Sequence, residues 1–181
     1  MREKFRSTLP AEWVKYFVVV ILSIALWIWG FGLYHAPKDT EKIVLFFAGE
    51  VKNYAFETDA ADAFEELKTV SISAAYPWTG NAFDQKYSVV GLTASDVVIV
   101  PESVAMDTDC ATAFVPLEGL GEPFEQKDVA YGVYLSDAVI KKLSRYFVFR
   151  EDRYVVFAVG ASVNSGEETD LSIRFIEWLV R

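Results

Sequence analysis

Lys42–Ala48 reads KIVLFFA, an apolar run with no polar alternation. Such a run suits a strand covered on both faces of a sheet. Behind it Phe56, Ala60, Ala63, Phe64 and Leu67 recur at helical spacing, with acids on the other face. Two further short apolar runs follow, Thr69–Ala75 (TVSISAA) and residues 96–100 (DVVIV). Strand, helix and strand with short connections predict a βαβ unit, hence parallel pairing and a right-handed crossover.

Between the second and third strands, residues 76–92 (YPWTGNAFDQKYSVVGL) are rich in aromatics and turn formers and read as a loop. Pro101 stops the third strand and suits the first residue of a short helix, PESVAMD. Residues 107–128 contain Pro116, Gly119, Gly121 and Pro123 without a period, so they read as a connecting loop with one short strand at 112–117. Order returns with a strand over 130–135 and a helix that Ser136 or Asp137 caps, turning Val139, Ile140, Leu143 and Phe147 inward. A strand over 153–159 precedes a final helix with an apolar face of Leu171, Phe175, Ile176 and Leu179. Ser165 and Glu168 have capping-box spacing at its start. Alternating helix and strand signals predict one three-layer α/β domain over residues 42–181, with a mostly parallel sheet.

Upstream, residues 16–34 (YFVVVILSIALWIWGFGLY) carry no charge. Nineteen residues at about 1.5 Å each span roughly 28 Å, close to the hydrocarbon core of a bilayer. Trp13 and Tyr16 mark one end and Trp27, Trp29 and Tyr34 the other, as interfacial aromatics do. The run is long for a signal peptide, and bulky residues stand where a cleavage site needs small ones, so an uncleaved anchor is expected. Arg2, Lys4, Arg6 and Lys15 precede it. The positive-inside rule therefore predicts a cytoplasmic tail at 1–15, a transmembrane anchor from Tyr16 to Tyr34, a tether at 35–41 and an extracytoplasmic domain in the cell membrane.

After residue 36 the chain carries 13 Lys and Arg against 24 Asp and Glu. An acidic surface of this kind is repelled by phosphate backbones, so no nucleic-acid partner is expected. His35 and Cys110 are the only histidine and cysteine. Ser-His-Asp and Cys-His catalysis, a Cys or His zinc site and a C-x-x-C pair cannot be built from them, and no catalytic activity is expected. Asp107, Asp109 and Glu118 match three positions of a calcium-binding loop. Ala111 and Thr112 break it where an oxygen ligand and a turn glycine are required, so no metal is expected. Glu65–Glu66 and Glu167–Glu168 read as solvated faces, phosphate-binding glycine loops are absent, and no cofactor is implied.

The order KIVLFFA, helix, strand, DVVIVPE resembles the opening lobe of the extracytoplasmic solute-binding proteins of ABC importers. Residues 130–135 (AYGVYL) and 153–180 resemble that family's return to the first lobe and its closing helix. The resemblance implies a lobe of a ligand clamp. Where the family places a whole second lobe, this chain has only residues 107–129, so a single-lobe relative is implied.

In open α/β sheets ligands bind beyond the carboxyl ends of the strands, at the switch in strand order. That rim comprises Gly49 and Glu50, residues 76–81 and residues 101–103. Trp78 is suited to stacking on a sugar or peptide, Asn81 to orienting it, and Glu102, beside Ser103, to holding an amine or hydroxyl. Trp78 equally suits packing its loop onto the sheet, and Glu102 the first turn of a helix. Two readings remain: a membrane-anchored module that docks a membrane-protein partner or a loosely held small-molecule ligand, and a solute receptor for sugar or peptide completed by a second subunit or copy.

Overall fold

The computed structural model describes residues 2–35, 37–151, 153–165 and 170–181. It divides into two units, Met1–Ala36 and Pro37–Arg181.

The first unit is one helix, α1 (Arg2–His35). Within it Trp13–Gly32 spans 20 residues at a mean hydropathy of 2.1, long and apolar enough to cross a bilayer. The helix begins well before Tyr16, so the expected tail at 1–15 continues the same helix from Arg2. Of the expected tether, Asp39–Glu41 forms a 3₁₀ turn, and the Glu41 carboxylate accepts the Lys38 backbone N–H at 3.1 Å.

The second unit holds β1 (Lys42–Ala48), β2 (Glu50–Val51), α2 (Ala55–Ala61), β3 (Thr69–Ala75), α3 (Asn81–Lys86), β4 (Val97–Pro101), α4 (Glu102–Met106) and α5 (Cys110–Ala113). There follow β5 (Pro123–Gln126), β6 (Val129–Tyr134), α6 (Asp137–Leu143), β7 (Phe147–Val148), β8 (Tyr154–Ala158) and α7 (Leu171–Val180). Six strands form a sheet in the order β3-β1-β4-β8-β6-β5. β1 lies parallel to both β3 and β4, while β8 is antiparallel to β4 and β6, and β5 to β6. The sheet is therefore mixed, and the expectation of a mostly parallel one is not met. The connections explain this. The parallel steps are made by helical crossovers, whereas β6 follows β5 through a two-residue hairpin, which only antiparallel strands can use.

Side chains alternate between two cores. Ile43, Leu45 and Phe47 of β1 face one side, with Val97, Ile99, Tyr154 and Val156, under α2, α6 and α7. Phe46 and Ala48 face the other, with Val98, Val100, Val155 and Phe157, under α3, α4 and α5. These are the three layers expected, and the double covering accounts for the unbroken apolar runs. Each fully buried Phe or Leu contributes about 1.5–3 kcal/mol relative to exposure.

The helix expected from Phe56 to Leu67 stops at Ala61, although Phe64 and Leu67 still pack into the first core. The stretch 76–92 is largely helical, with α3 running into a π-helical turn at Tyr87–Gly91. In place of a strand at 112–117 there is a single bridge, Phe114 to Val159. Ser136 caps α6, its hydroxyl accepting the Val139 N–H at 3.4 Å. The expected capping box of α7 involves Glu168, which lies outside the described residues, and the residue preceding that helix is Asp170.

Candidate functional site

β1, β3 and β4 run parallel, so their carboxyl ends meet at one edge, and antiparallel β8 brings its amino end there. The crevice expected at the switch between β1 and β4 is filled. The Phe47 ring lies 4.6 Å from Phe147, 5.4 Å from Phe149 and 6.0 Å from Tyr154. The two-strand ribbon of β2 and β7 lies beside this aromatic plug. Gly49 makes the close packing possible, since a Cβ there would sit 2.4 Å from the Phe47 ring.

Trp78 stands above this rim in a 3₁₀ turn, 53% exposed. The turn is fixed by the Thr79 hydroxyl, which donates to the Tyr76 carbonyl at 2.7 Å, and by Gly80 at φ +60°. Tyr76 packs against Trp78 at 5.2 Å between centroids and carries the Arg150 guanidinium over its ring at 5.1 Å. Arg150 in turn reaches the Glu50 carboxylate at 3.5 Å.

Glu102 opens α4, but its carboxylate is engaged. It accepts the Tyr134 hydroxyl at 2.5 Å and lies 3.6 Å from Arg153. Arg153 stacks 3.6 Å from the centre of the Tyr134 ring and also pairs with Glu122. Burial, with the adjacent Glu102 carboxylate, pushes the Tyr134 phenol up to about 12. The rim is therefore a mosaic of mutually paired charges. Asn81 and Ser103 are exposed at the starts of α3 and α4, without side-chain hydrogen bonds among the described residues. No hydrogen bond, ion pair or ring contact joins Trp78 or Asn81 to Glu102 or Ser103 there.

Tyr134, Arg150 and Arg153 escape a reading of the sequence for a physical reason. A parallel last strand would carry Arg153 to the opposite edge, and only the antiparallel direction of β8 brings it here.

A separate groove of about 430 Å³ opens between α3 with its π turn and α4, beside Pro77. Tyr87 and Leu92 line one side and Val104 the other, with Asp84, Asp107 and Asp109 at its margin. None of Trp78, Asn81, Glu102 and Ser103 lines it. Asp109 accepts the Thr112 hydroxyl at 2.9 Å and lies 3.7 Å from Lys127. Among the described residues no group of three His, Cys, Asp or Glu side chains is gathered as a metal site.

No family model, curated protein or solved structure matches this chain.

Proposed function

We propose that the chain is a non-catalytic, membrane-anchored module. On this reading α1 holds the α/β domain on the outer side of the membrane, and the rim around Trp78 docks a membrane-protein partner. The observation that carries the reading is the exposed Trp78 indole, held in place by Tyr76 on a rim whose neighbouring charges already satisfy one another. An exposed tryptophan is a typical binding anchor, and paired rim charges add little repulsion to an approaching surface. The filled crevice beneath favours docking over enclosure of a small solute, which requires a concave site. The strand order at the rim and the resemblance to one lobe of a solute-binding protein suit a surface that closes against something larger. The basic residues before the span, Arg2, Lys4, Arg6 and Lys15, support an outward-facing domain.

A photo-crosslinking amino acid at Trp78 of the full-length chain, in membranes of its source organism, tests the docking. A discrete adduct at position 78 and none from the same probe at exposed Val163 is the expected result. Absence of an adduct together with saturable sugar or peptide binding would replace it with the solute-receptor reading. Absence of both would overturn binding at this rim. Sidedness is read with Val163→Cys, since Cys110 is buried. Labelling of intact cells by a membrane-impermeant maleimide is expected, and labelling only after lysis overturns the outward placement.

A further inference from the structure

We propose that the groove between the π turn and α4 receives a cationic side chain of the docking partner, a Lys or Arg flanked by apolar residues. The inference rests on the docking reading above and adds the partner's chemistry.

The floor is apolar and closely packed. Phe83 and Tyr87 stack 5.5 Å apart at an interplanar angle of 10°, with Phe46 behind them. The Tyr87 hydroxyl is satisfied by the Thr108 hydroxyl at 3.0 Å, so it makes no demand on a visitor. Half-buried Leu92 and Val104 form the walls, which suit the methylene stem of a long side chain.

The margin supplies the charge. Asp84 and Asp107 are exposed and have no hydrogen bond or ion pair from their carboxylates among the described residues. The lysine nearest in α3 is turned away, Lys86 donating to the Ala74 carbonyl of the edge strand at 2.6 Å. Of the three margin carboxylates only Asp109 has a counter-ion, Lys127 at 3.7 Å, so Asp84 and Asp107 leave the groove with uncompensated negative charge among the described residues. The surrounding surface supplies apolar contact. Of six exposed large apolar side chains among the described residues of 37–181, Trp78, Val89 and Met106 lie on the elements flanking the groove. An acid-rimmed groove with an apolar floor, on elements that also carry exposed apolar side chains, fits a partner segment in which basic and apolar residues alternate.

The test uses the full-length chain in phosphatidylcholine nanodiscs and the fluorescein-labelled peptide Gly-Leu-Arg-Leu-Lys-Leu-Gly, with empty nanodiscs as the blank. Two counterparts carry Glu for the basic residues or Ser for the leucines. The basic-apolar peptide is expected to bind about tenfold more tightly than either counterpart. Asp84→Asn with Asp107→Asn is expected to weaken it roughly tenfold, as two exposed charge pairs together allow. Glu118→Gln with Glu125→Gln, on the far side of the sheet, is expected to change it less than twofold. No binding, equal binding of the Ser peptide, or equal losses in the two double variants would each overturn the proposal. If the adduct at Trp78 forms while the peptide result fails, docking stands and only the basic partner class is withdrawn. Failure of both removes both.

Discussion

Asp96 and Asn164, 68 residues apart in the chain, meet at 3.0 Å at the amino edge of the sheet. The Asp96 carboxylate also accepts the Val44 N–H at 2.6 Å and the Ser162 hydroxyl. Asn164 donates further to the carbonyls of Asp39 at 3.1 Å and Lys42 at 3.0 Å. The pair therefore joins the entry of β1, the entry of β4 and the turn after β8.

Removing either partner strands buried polar groups. Asp96→Ala is expected to cost about 3 kcal/mol and Asn164→Ala about 2, each unmet donor or acceptor carrying its own desolvation penalty. The double variant should cost less than the sum, because the two share one network. Urea unfolding of the full-length chain in detergent, followed by near-ultraviolet circular dichroism, reads these values. Strict additivity would contradict a shared network.

The hairpin between β5 and β6 turns through Lys127 at φ +56° and Asp128 at φ +63°. Gln126 pairs with Val129, so the loop has two residues, both left-handed. This is the geometry that Asn-Gly adopts with least strain. Replacing Lys127 and Asp128 by Asn and Gly should raise stability by about 1 kcal/mol, seen as a higher melting temperature. No gain would mean that side-chain contacts of this pair offset the backbone strain.

Burial pushes the phenols of Tyr87 and Tyr134 up to about 12 and the Cys110 thiol up to about 11. Each group keeps its proton longer in the folded chain than in the unfolded one. Its contribution is complete below the unfolded value, 9.0 for the thiol and 10.0 for the phenols, and is lost as pH rises through the folded value. Stability should be unaffected by these groups up to about pH 8.5 and should fall between about pH 9 and 12. Tyr134→Phe should make the decline shallower. Tyrosinate absorbance beside unfolding curves checks both points.

Trp78→Ala should change stability by less than about 0.5 kcal/mol, since the ring is exposed, while abolishing partner capture at the rim. Gly49→Ala should do the reverse to stability, costing about 1–3 kcal/mol as the Phe47 ring is displaced. Thermal melts of both variants separate binding from folding. A large stability loss for Trp78→Ala would make the indole a packing residue.

Much of this architecture is legible in the sequence where burial is strongest. Lys42–Ala48 and Thr69–Ala75 are strands with the expected limits, and Leu171, Phe175, Ile176 and Leu179 all face the core as their spacing implies. Strand direction is not legible, because apolar runs such as residues 154–158 look alike in either sense. Strand β5 is hidden because PFEQ buries only Phe124 and its turn lacks glycine. The helices inside 76–92 are masked by the Pro77 and Gly80 that shape the turn before them. Trp78, Asn81, Glu102 and Ser103 all follow the carboxyl ends of β3 and β4, but the engagement of Glu102 depends on Tyr134 and Arg153, which arrive from distant sequence.

The chain enters the domain just before β1, and the rim lies at that strand's other end. Seven residues of extended chain separate the two points by about 23 Å. Force applied between Pro37 and the carboxyl end of β1 would load that strand along its own axis. Its ladders to β3 and β4 would then be sheared as a set, with many hydrogen bonds sharing the force, instead of unzipping one at a time. Strand β1 is in this sense a tension member, and the domain should resist force along that strand far better than force applied across the sheet.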